Sequence, residues 1–250
     1  MTRMDVDPRL TTVRGALART LPAGQLDLER LAFDPDGVLL IEGEAASIAA
    51  KKRALRVAAI TSGAAGLADR LHVRPAIPMQ DGEIRVRLAE LFALDPRFRG
   101  IALYEDRNPS PLAEDYVAVA GAAADANGRL DIEVSEGIVT LNGALPSLTR
   151  MRLAGALAWR VAGVRDVING LAVEPPEDDG PDQLEEAVRE ALDADPLFDD
   201  AQVKVGVFGD SVRLTGLVHS QDARDAAEES AWRIMGVDEV INEIEVRAGP

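Results

Sequence analysis

The sequence lacks cysteine and holds only two histidines, His72 and His219. Without thiols there is no disulfide, no thiol nucleophile and no Cys-based metal site, and two isolated histidines offer little for catalysis. No apolar run approaches the length of a transmembrane helix, and charged residues interrupt positions 1–21, where a secretory signal would need an apolar stretch. The sequence therefore predicts a cytoplasmic protein, and a periplasmic one only if a leader is missing from this chain.

Positive charge is scarce towards the C-terminal end. The net charge of the 250 residues is −16, divided as +2 over residues 1–76, −4 over residues 77–175 and −14 over residues 176–250. A phosphate backbone or an anionic lipid surface would be repelled by the last of these segments, so only the first could meet such a partner. No nucleic-acid partner is expected.

An internal repeat organises the chain. Residues 137–173 and 210–246 align without a gap, with 14 of 37 positions identical, and the two tryptophans, Trp159 and Trp232, fall at equivalent places. Residues 37–73 fit the same register, although Ala59 replaces the tryptophan and Asp69 replaces the asparagine of the other copies, Asn169 and Asn242.

Each copy has the same predicted order of elements. An amphipathic helix upstream is followed by an alternating strand, a turn and a V-x-L-x-G strand. A second helix then begins at a serine N-cap (Ser47, Ser147 or Ser220). In the second copy this helix is expected to run from about residue 147 to residue 162 and to end at Gly163, a glycine that relieves left-handed strain at the C-cap. The last strand covers residues 167–173 or 240–246. The unit is thus helix–strand–strand–helix–strand, with a three-stranded mixed sheet.

The order of elements, the V-x-L-x-G strand and the ending Gly163-Val164…Val167…Asn169, repeated as Gly236-Val237…Val240…Asn242, resemble the BON domain. The resemblance implies an α+β fold of three tandem small domains over residues 1–76, 77–175 and 176–250. It also implies a non-catalytic binding module of the kind found in osmotically inducible periplasmic proteins, outer-membrane-associated proteins and a cytoplasmic potassium-binding protein. Phospholipid binding has been proposed for the family.

The second copy carries 27 extra residues, which places an insertion near residues 99–129. Alternating residues on either side of positions 108–111 predict two strands, and both tyrosines of the chain, Tyr104 and Tyr116, lie in them. Two interpretations stay open. The insertion is either a hairpin that extends the sheet, which we favour, or an edge that recruits a partner strand.

Candidate binding residues are few. The basic residues Lys51, Lys52, Arg53 and Arg56 could contact a phosphate or a lipid headgroup, although a solvated helix face explains them more simply. The four acidic residues Asp193, Asp195, Asp199 and Asp200 lack the spacing of an EF-hand, so no metal site is predicted. His219, Ser220 and Asp222 are too close in sequence for a catalytic triad.

The sequence therefore predicts a non-catalytic binding or scaffold protein without a cofactor. Three classes of partner remain open. They are an anionic phospholipid surface in a stress- or envelope-related role, a cation such as potassium or calcium held by backbone carbonyls, and a protein partner bound through the insertion in an interaction or chaperone-like role.

Overall fold

The computed structural model describes residues 7–106, 116–121, 126–195, 198 and 203–247. Within these residues it contains six α-helices and three mixed β-sheets, so the predicted α+β fold is confirmed. The chain divides into two compact units, Met1–Arg74 and Pro75–Pro250. The first unit holds one sheet and the second unit holds two. The boundaries of three separate domains stay a prediction.

The first unit is a three-stranded sheet that shares one core with two helices. Its elements are α1 (Pro8–Thr20), β1 (Leu26–Phe33), β2 (Val38–Ala45), α2 (Ile48–Ser62) and β3 (Gly66–Val73). The central strand β2 is antiparallel to β1 and parallel to β3. Alternate residues of β2, Leu39 and Ile41, are fully buried and meet Val13 and Leu17 of α1 in the core.

The second unit begins with a larger sheet. Its elements are α3 (Asp81–Leu94), β4 (Ile101–Asp106), β5 (Tyr116–Ala120), β6 (Gly128–Ser135), β7 (Ile138–Leu145), α4 (Leu148–Ala158), β8 (Asp166–Asn169) and β9 (Ala172–Val173). The strand order is β5-β4-β6-β7-β8, with β9 also paired to β7. The two strands predicted in the insertion are β4 and β5. They add two strands to the expected three, and the predicted last strand, residues 167–173, is divided into β8 and β9, which makes six. The turn between them, residues 108–111, lies outside the described residues.

A third sheet completes the second unit. Its elements are α5 (Pro181–Asp193), β10 (Val203–Phe208), β11 (Ser211–Val218), α6 (Gln221–Trp232) and β12 (Glu239–Val246). The central strand β11 is antiparallel to β10 and parallel to β12, as β2 is to β1 and β3. The same order of elements and the same mixture of strand directions therefore recur in the first and third sheets.

The glycine of the V-x-L-x-G strand allows two strands to approach closely. Gly43 and Gly143 have φ angles of +147° and +111°. A Cβ at Gly43 would lie 2.1 Å from the carbonyl oxygen of Asp27, and one at Gly143 would lie 2.3 Å from that of Arg129. Any side chain would collide with the backbone of the neighbouring strand, which explains why glycine recurs at this position.

The helix that follows this strand in the second copy is shorter than expected, since α4 ends at Ala158 rather than at residue 162. The role predicted for Gly163 is also wrong, because its φ is not positive, unlike the φ of +58° at Gly63. A Cβ at Gly163 would lie 2.5 Å from the Cβ of Met79. Glycine therefore makes room there for a side chain of the segment before α3.

The two sheets of the second unit are joined through α4. Ten of its eleven residues are buried, as expected for a helix that is apolar on nearly all sides. The buried charged residue of α4 is Arg152, whose side chain is only 5% exposed. Its Nη2 donates to both carboxylate oxygens of Asp179, at 2.7 and 2.8 Å, and its Nε donates to the carbonyl of Met235 at 3.1 Å. One side chain thus ties α4 to the segment before α5 and to the loop after α6.

Two further arginines bind the C-terminal end of α5. Arg97 donates to the carbonyl of Glu190 at 2.8 Å, and Arg160 donates to the carbonyl of Ala194 at 3.1 Å. The carbonyl of Glu190 also accepts from the amide of Ala194 at 3.2 Å. Both arginines thus place a cation at a helix C-terminus, where positive charge is favourable. Across the described ranges, no helix is long and apolar enough to cross a bilayer.

Candidate functional site

The four predicted basic residues lie on α2, but they do not form one exposed cluster. Lys51 is buried, and its ammonium lies 3.1 Å from the carboxylate of Asp69 on β3. Lys52 and Arg53 are partly buried, and Arg56 is exposed. An external anion would have to compete with Asp69 for Lys51. The prediction that these residues bind an anion stays a prediction, with Lys52, Arg53 and Arg56 as the side chains nearer the surface.

The repeat explains the burial of Lys51. In the second copy, the Asn169 side chain donates to the carbonyl of Met151 at 2.8 Å. In the third, the Asn242 side chain donates to the carbonyl of Arg224 at 3.0 Å. Lys51 and Asp69 occupy the aligned positions of the first copy. Their ion pair therefore links helix and strand where the other copies use an amide-to-carbonyl hydrogen bond.

The serines aligned before the second helix of each copy are N-caps, as predicted. Ser47 Oγ accepts from the amide of Ala50 at 3.2 Å, and Ser147 and Ser220 make equivalent bonds at 3.2 and 3.1 Å. Ser220 thus satisfies a backbone amide at the start of α6, a structural role that accounts for its place in the sequence.

The acidic residues Asp193 and Asp195 lie in the described part of the chain, at the end of α5 and just after it. Asp199 and Asp200 lie outside the described residues. Within the part of the chain that the structure covers, no three Asp, Glu or His side chains are arranged to hold a metal ion. Of the two tryptophans at equivalent places in the repeat, Trp232 is buried, whereas Trp159 is half-buried at the C-terminal end of α4.

A groove of about 690 Å³ lies between the start of α4 and α5. Its charged side chains are largely engaged by the protein itself. Glu177 accepts from the amide of Leu148 at 2.8 Å, and Glu186 accepts from the hydroxyl of Thr149 at 3.1 Å. Burial raises the pKa of Glu190, and the nearby guanidinium of Arg97 opposes that rise. These contacts hold α4 and α5 together and give the groove a structural role.

The two tyrosines of the insertion converge on one face of the six-stranded sheet. The guanidinium of Arg129 on β6 lies 4.5 Å from the ring centre of Tyr104 and 5.7 Å from that of Tyr116. Asp131 accepts two bonds from Arg129 Nε, at 2.7 and 2.9 Å, and this is the main reason why the pKa of Arg129 lies above its ordinary value. The hydroxyl of Tyr116 donates to Glu133. Side chains from three strands therefore fix the position of β5.

Strand β5 differs from the other sheet edges. Within the described residues it pairs with β4 alone. Charged residues occur in each of the edge strands β1, β3, β8, β10 and β12. The sequence of β5, Tyr-Val-Ala-Val-Ala, contains none. Charged side chains on edge strands discourage pairing with another chain. Apart from the two-residue β9, β5 is thus the edge of the described sheets that lacks this protection.

Sequence reasoning located the insertion and both tyrosines but missed Arg129 and Arg152. The contacts of Arg129 could not be predicted from the sequence around it. Its tyrosine partners lie on β4 and β5, and the order of strands in a sheet depends on contacts between residues distant in sequence. Arg152 had a local signal. It stands within an otherwise apolar stretch, residues 151–158, and a charge that such a helix buries must be paired.

Comparison with known proteins gives one family and two solved structures. The family model described as BON domain matches residues 118–175 and 180–248, together 127 of the 250 residues. Among curated proteins nothing matches. The chain is similar to the C-terminal domain of CdsD, a structural protein of the type III secretion system of Chlamydia trachomatis, at 15% identity and a TM-score of 0.24 over 99% of this chain and 100% of that one. A second CdsD structure is 16% identical, with a TM-score of 0.25 over 97% and 94%. These TM-scores are too low to indicate a shared overall fold.

Proposed function

Because this chain belongs to the BON domain family, we propose that it is a non-catalytic binding protein that recruits a protein partner at the edge of its six-stranded sheet. Proteins of this family are in general non-catalytic. The observation that carries the proposal is β5, the uncharged edge strand held in place by the contacts of Tyr116 and Arg129. Backbone groups on such an edge can form a ladder with an added strand.

The proposal includes the tandem architecture. Three BON-like domains over residues 1–76, 77–175 and 176–250 would present one sheet each, and only the middle domain would carry the insertion. Support comes from the recurrent strand directions, the three serine N-caps and the equivalent link between the second helix and the last strand. In a scaffold of this kind, β5 of the middle domain would bind the protein partner, and the other two domains would lack such a strand.

Site-specific crosslinking tests the proposed function. Benzoylphenylalanine replaces Val119 on β5 in one variant and Ile241 on the charged edge β12 in a matched control; both side chains are more than a third exposed. In lysate of the source cells, we expect a discrete protein adduct from position 119 and none from position 241. Equal adducts at both positions, or none at position 119, would refute recruitment at β5.

Binding to an anionic phospholipid surface is a second candidate, confined to residues 1–76, the segment whose net charge is positive. Lys52, Arg53 and Arg56 lie on one helix in the segment of net charge +2, whereas residues 77–250 carry 16 basic and 34 acidic side chains, a net −18. A membrane surface would therefore be met through α2. A stress- or envelope-related setting would suit this role and stays a prediction.

Liposome flotation separates the two candidates. Replacing Lys52, Arg53 and Arg56 with Gln should abolish flotation with anionic vesicles at low salt, while the same change at Arg14 and Arg19 of α1 should not. Three surface cations give weak attraction, so flotation should fade as salt rises. Absence of flotation for the unchanged protein would remove this candidate.

Potassium or calcium binding is tested by the melting temperature, which a bound cation raises by mass action.

A further inference from the structure

The binding partner can be specified further, on the assumption that the proposed function is correct. β5 offers a short regular stretch. Tyr116 pairs with Asp106, Val117 with Glu105 and Ala118 with Tyr104. The register then shifts, because Ala120 pairs with Leu103 and leaves Val119 as an extra residue. A bulge of this kind bends the strand and ends regular pairing. A guest strand would therefore contact few residues, and its binding would be weak and transient.

The side chains beside β5 limit the guest on each face. Tyr116 and Ala118 lie on the same face as Tyr104, whereas Val117 lies on the opposite face with Glu105, which is 3.6 Å from Arg85 of α3. Successive residues of a guest strand would alternate between these two faces. Small or β-branched side chains suit the face beside Val117, because they pack well on a pleated surface.

Charge around the strand is predominantly negative. β4 and β6 hold four acidic residues and one basic residue, but Glu105 is paired with Arg85, Asp131 is paired with Arg129 and Asp106 is buried. The attraction of a basic segment therefore comes mainly from the charge of the second unit as a whole. Residues 77–250 as a whole carry −18. A partner segment with lysine or arginine at its ends would be attracted to this region, and an acidic one would be repelled.

A second copy of this chain fits poorly as the occupant. Two copies would each bring a net charge of −16. A pairing of two five-residue strands would also bury far less than the roughly 1,200–2,000 Å² of a stable interface. A short extended segment can bind weakly through the same small area, and transient binding of this kind requires no larger interface.

We infer that β5 accepts an extended segment of another protein, with alternating small or β-branched residues flanked by lysine or arginine. The test uses the full-length chain and three labelled peptides, KKVTVTVKK, EEVTVTVEE and KKVTPTVKK. Fluorescence anisotropy gives the affinity, and hydrogen exchange locates the contact. Val119→Lys puts a repelling charge on β5, and Ile241→Lys puts the same charge on β12 as a matched control.

The expected result is binding of KKVTVTVKK with a Kd on the order of 100 µM at low salt. Binding should weaken about tenfold as salt rises from about 50 to about 300 mM, since the attraction is screened. Residues 116–121 should gain exchange protection, and Val119→Lys should abolish binding while Ile241→Lys leaves it intact. The acidic and proline peptides should not bind, the second because proline cannot complete the ladder.

Four results would overturn the inference. These are no binding of KKVTVTVKK, equal binding of the acidic peptide, binding without protection of residues 116–121, and protection that depends on protein concentration without peptide. The last would identify a second copy as the occupant. If the peptides fail while crosslinking from position 119 succeeds, recruitment at β5 stands and only the chemistry of the segment is wrong. If both fail, the proposed function fails with it.

Discussion

Removing the carboxylate partner of Arg152 should destabilise the second unit more than removing Arg152 itself. The Arg152 guanidinium is 5% exposed, whereas the side chain of Asp179 is 59% exposed. Asp179→Ala leaves a buried cation without its counter-charge. Arg152→Met removes the cation, keeps an apolar chain of similar length in the core and lets Asp179 return to water. The two variants remove the same ion pair, but Asp179→Ala should lose more stability than Arg152→Met.

The magnitudes follow from burial. Breaking a fully buried pair costs about 3–5 kcal/mol, and the exposure of Asp179 reduces this to about 2 kcal/mol for Asp179→Ala. Arg152→Met regains the desolvation of the guanidinium but leaves the carbonyl of Met235 without its donor, which costs about 1 kcal/mol net. For a unit of this size each kcal/mol lowers the melting temperature by about 2–4 °C. The double variant should match Arg152→Met alone, because no buried charge remains.

Tryptophan fluorescence is a suitable assay, since Trp159 and Trp232 both lie in the second unit and are the two tryptophans of the chain. Urea unfolding of the two single variants and the double variant completes a thermodynamic cycle. The control is Arg189→Met, which removes an exposed helix-surface pair with Glu185 and should change stability by no more than about 0.5 kcal/mol. A larger loss for Arg152→Met than for Asp179→Ala, or additive losses in the double variant, would refute the reasoning.

Three further predictions concern stability. Asp69→Asn should cost the first unit about 2 kcal/mol by leaving Lys51 without its carboxylate, and adding Lys51→Met should recover most of that loss in calorimetry, because the pair then matches the Asn169 arrangement. Gly143→Ala should cost about 3 kcal/mol in urea unfolding, because its Cβ would overlap a backbone carbonyl at positive φ. Glu190→Gln should raise the melting temperature at pH 7. Burial raises the folded-state pKa of Glu190, so its charged form opposes folding at neutral pH, and the gain should shrink as pH falls towards the unfolded value of about 4.3.

Much of the fold was predictable because its signals are local. Serine N-caps and alternating strands each act within a few residues, and both were identified from the repeat. The V-x-L-x-G glycine was also identified from the repeat, but its role depends on the neighbouring strand. The parallel pairing of β4 with β6 was not predictable, since strand order depends on contacts distant in sequence. The end of α4 was misjudged for a related reason. Gly163 faces Met79, 84 positions earlier in the chain, and no local pattern distinguishes a glycine that avoids a clash from one that caps a helix.

The basic residues of α2 illustrate how a repeat can correct a functional interpretation. Viewed alone, Lys51 belongs to a row of four cations and suggests an anion site. Viewed against the other copies, residue 51 aligns with Met151 and residue 69 with Asn169, so a cation and an anion appear together at two positions that meet in space. An unpaired aspartate in place of the asparagine would lose the bond to the helix carbonyl, and an unpaired lysine would be a buried charge. Only the two changes together preserve the link between helix and strand. Lys52, Arg53 and Arg56 lie nearer the surface than the buried Lys51, which is why these three, and not Lys51, are the residues to neutralise when a lipid surface is tested.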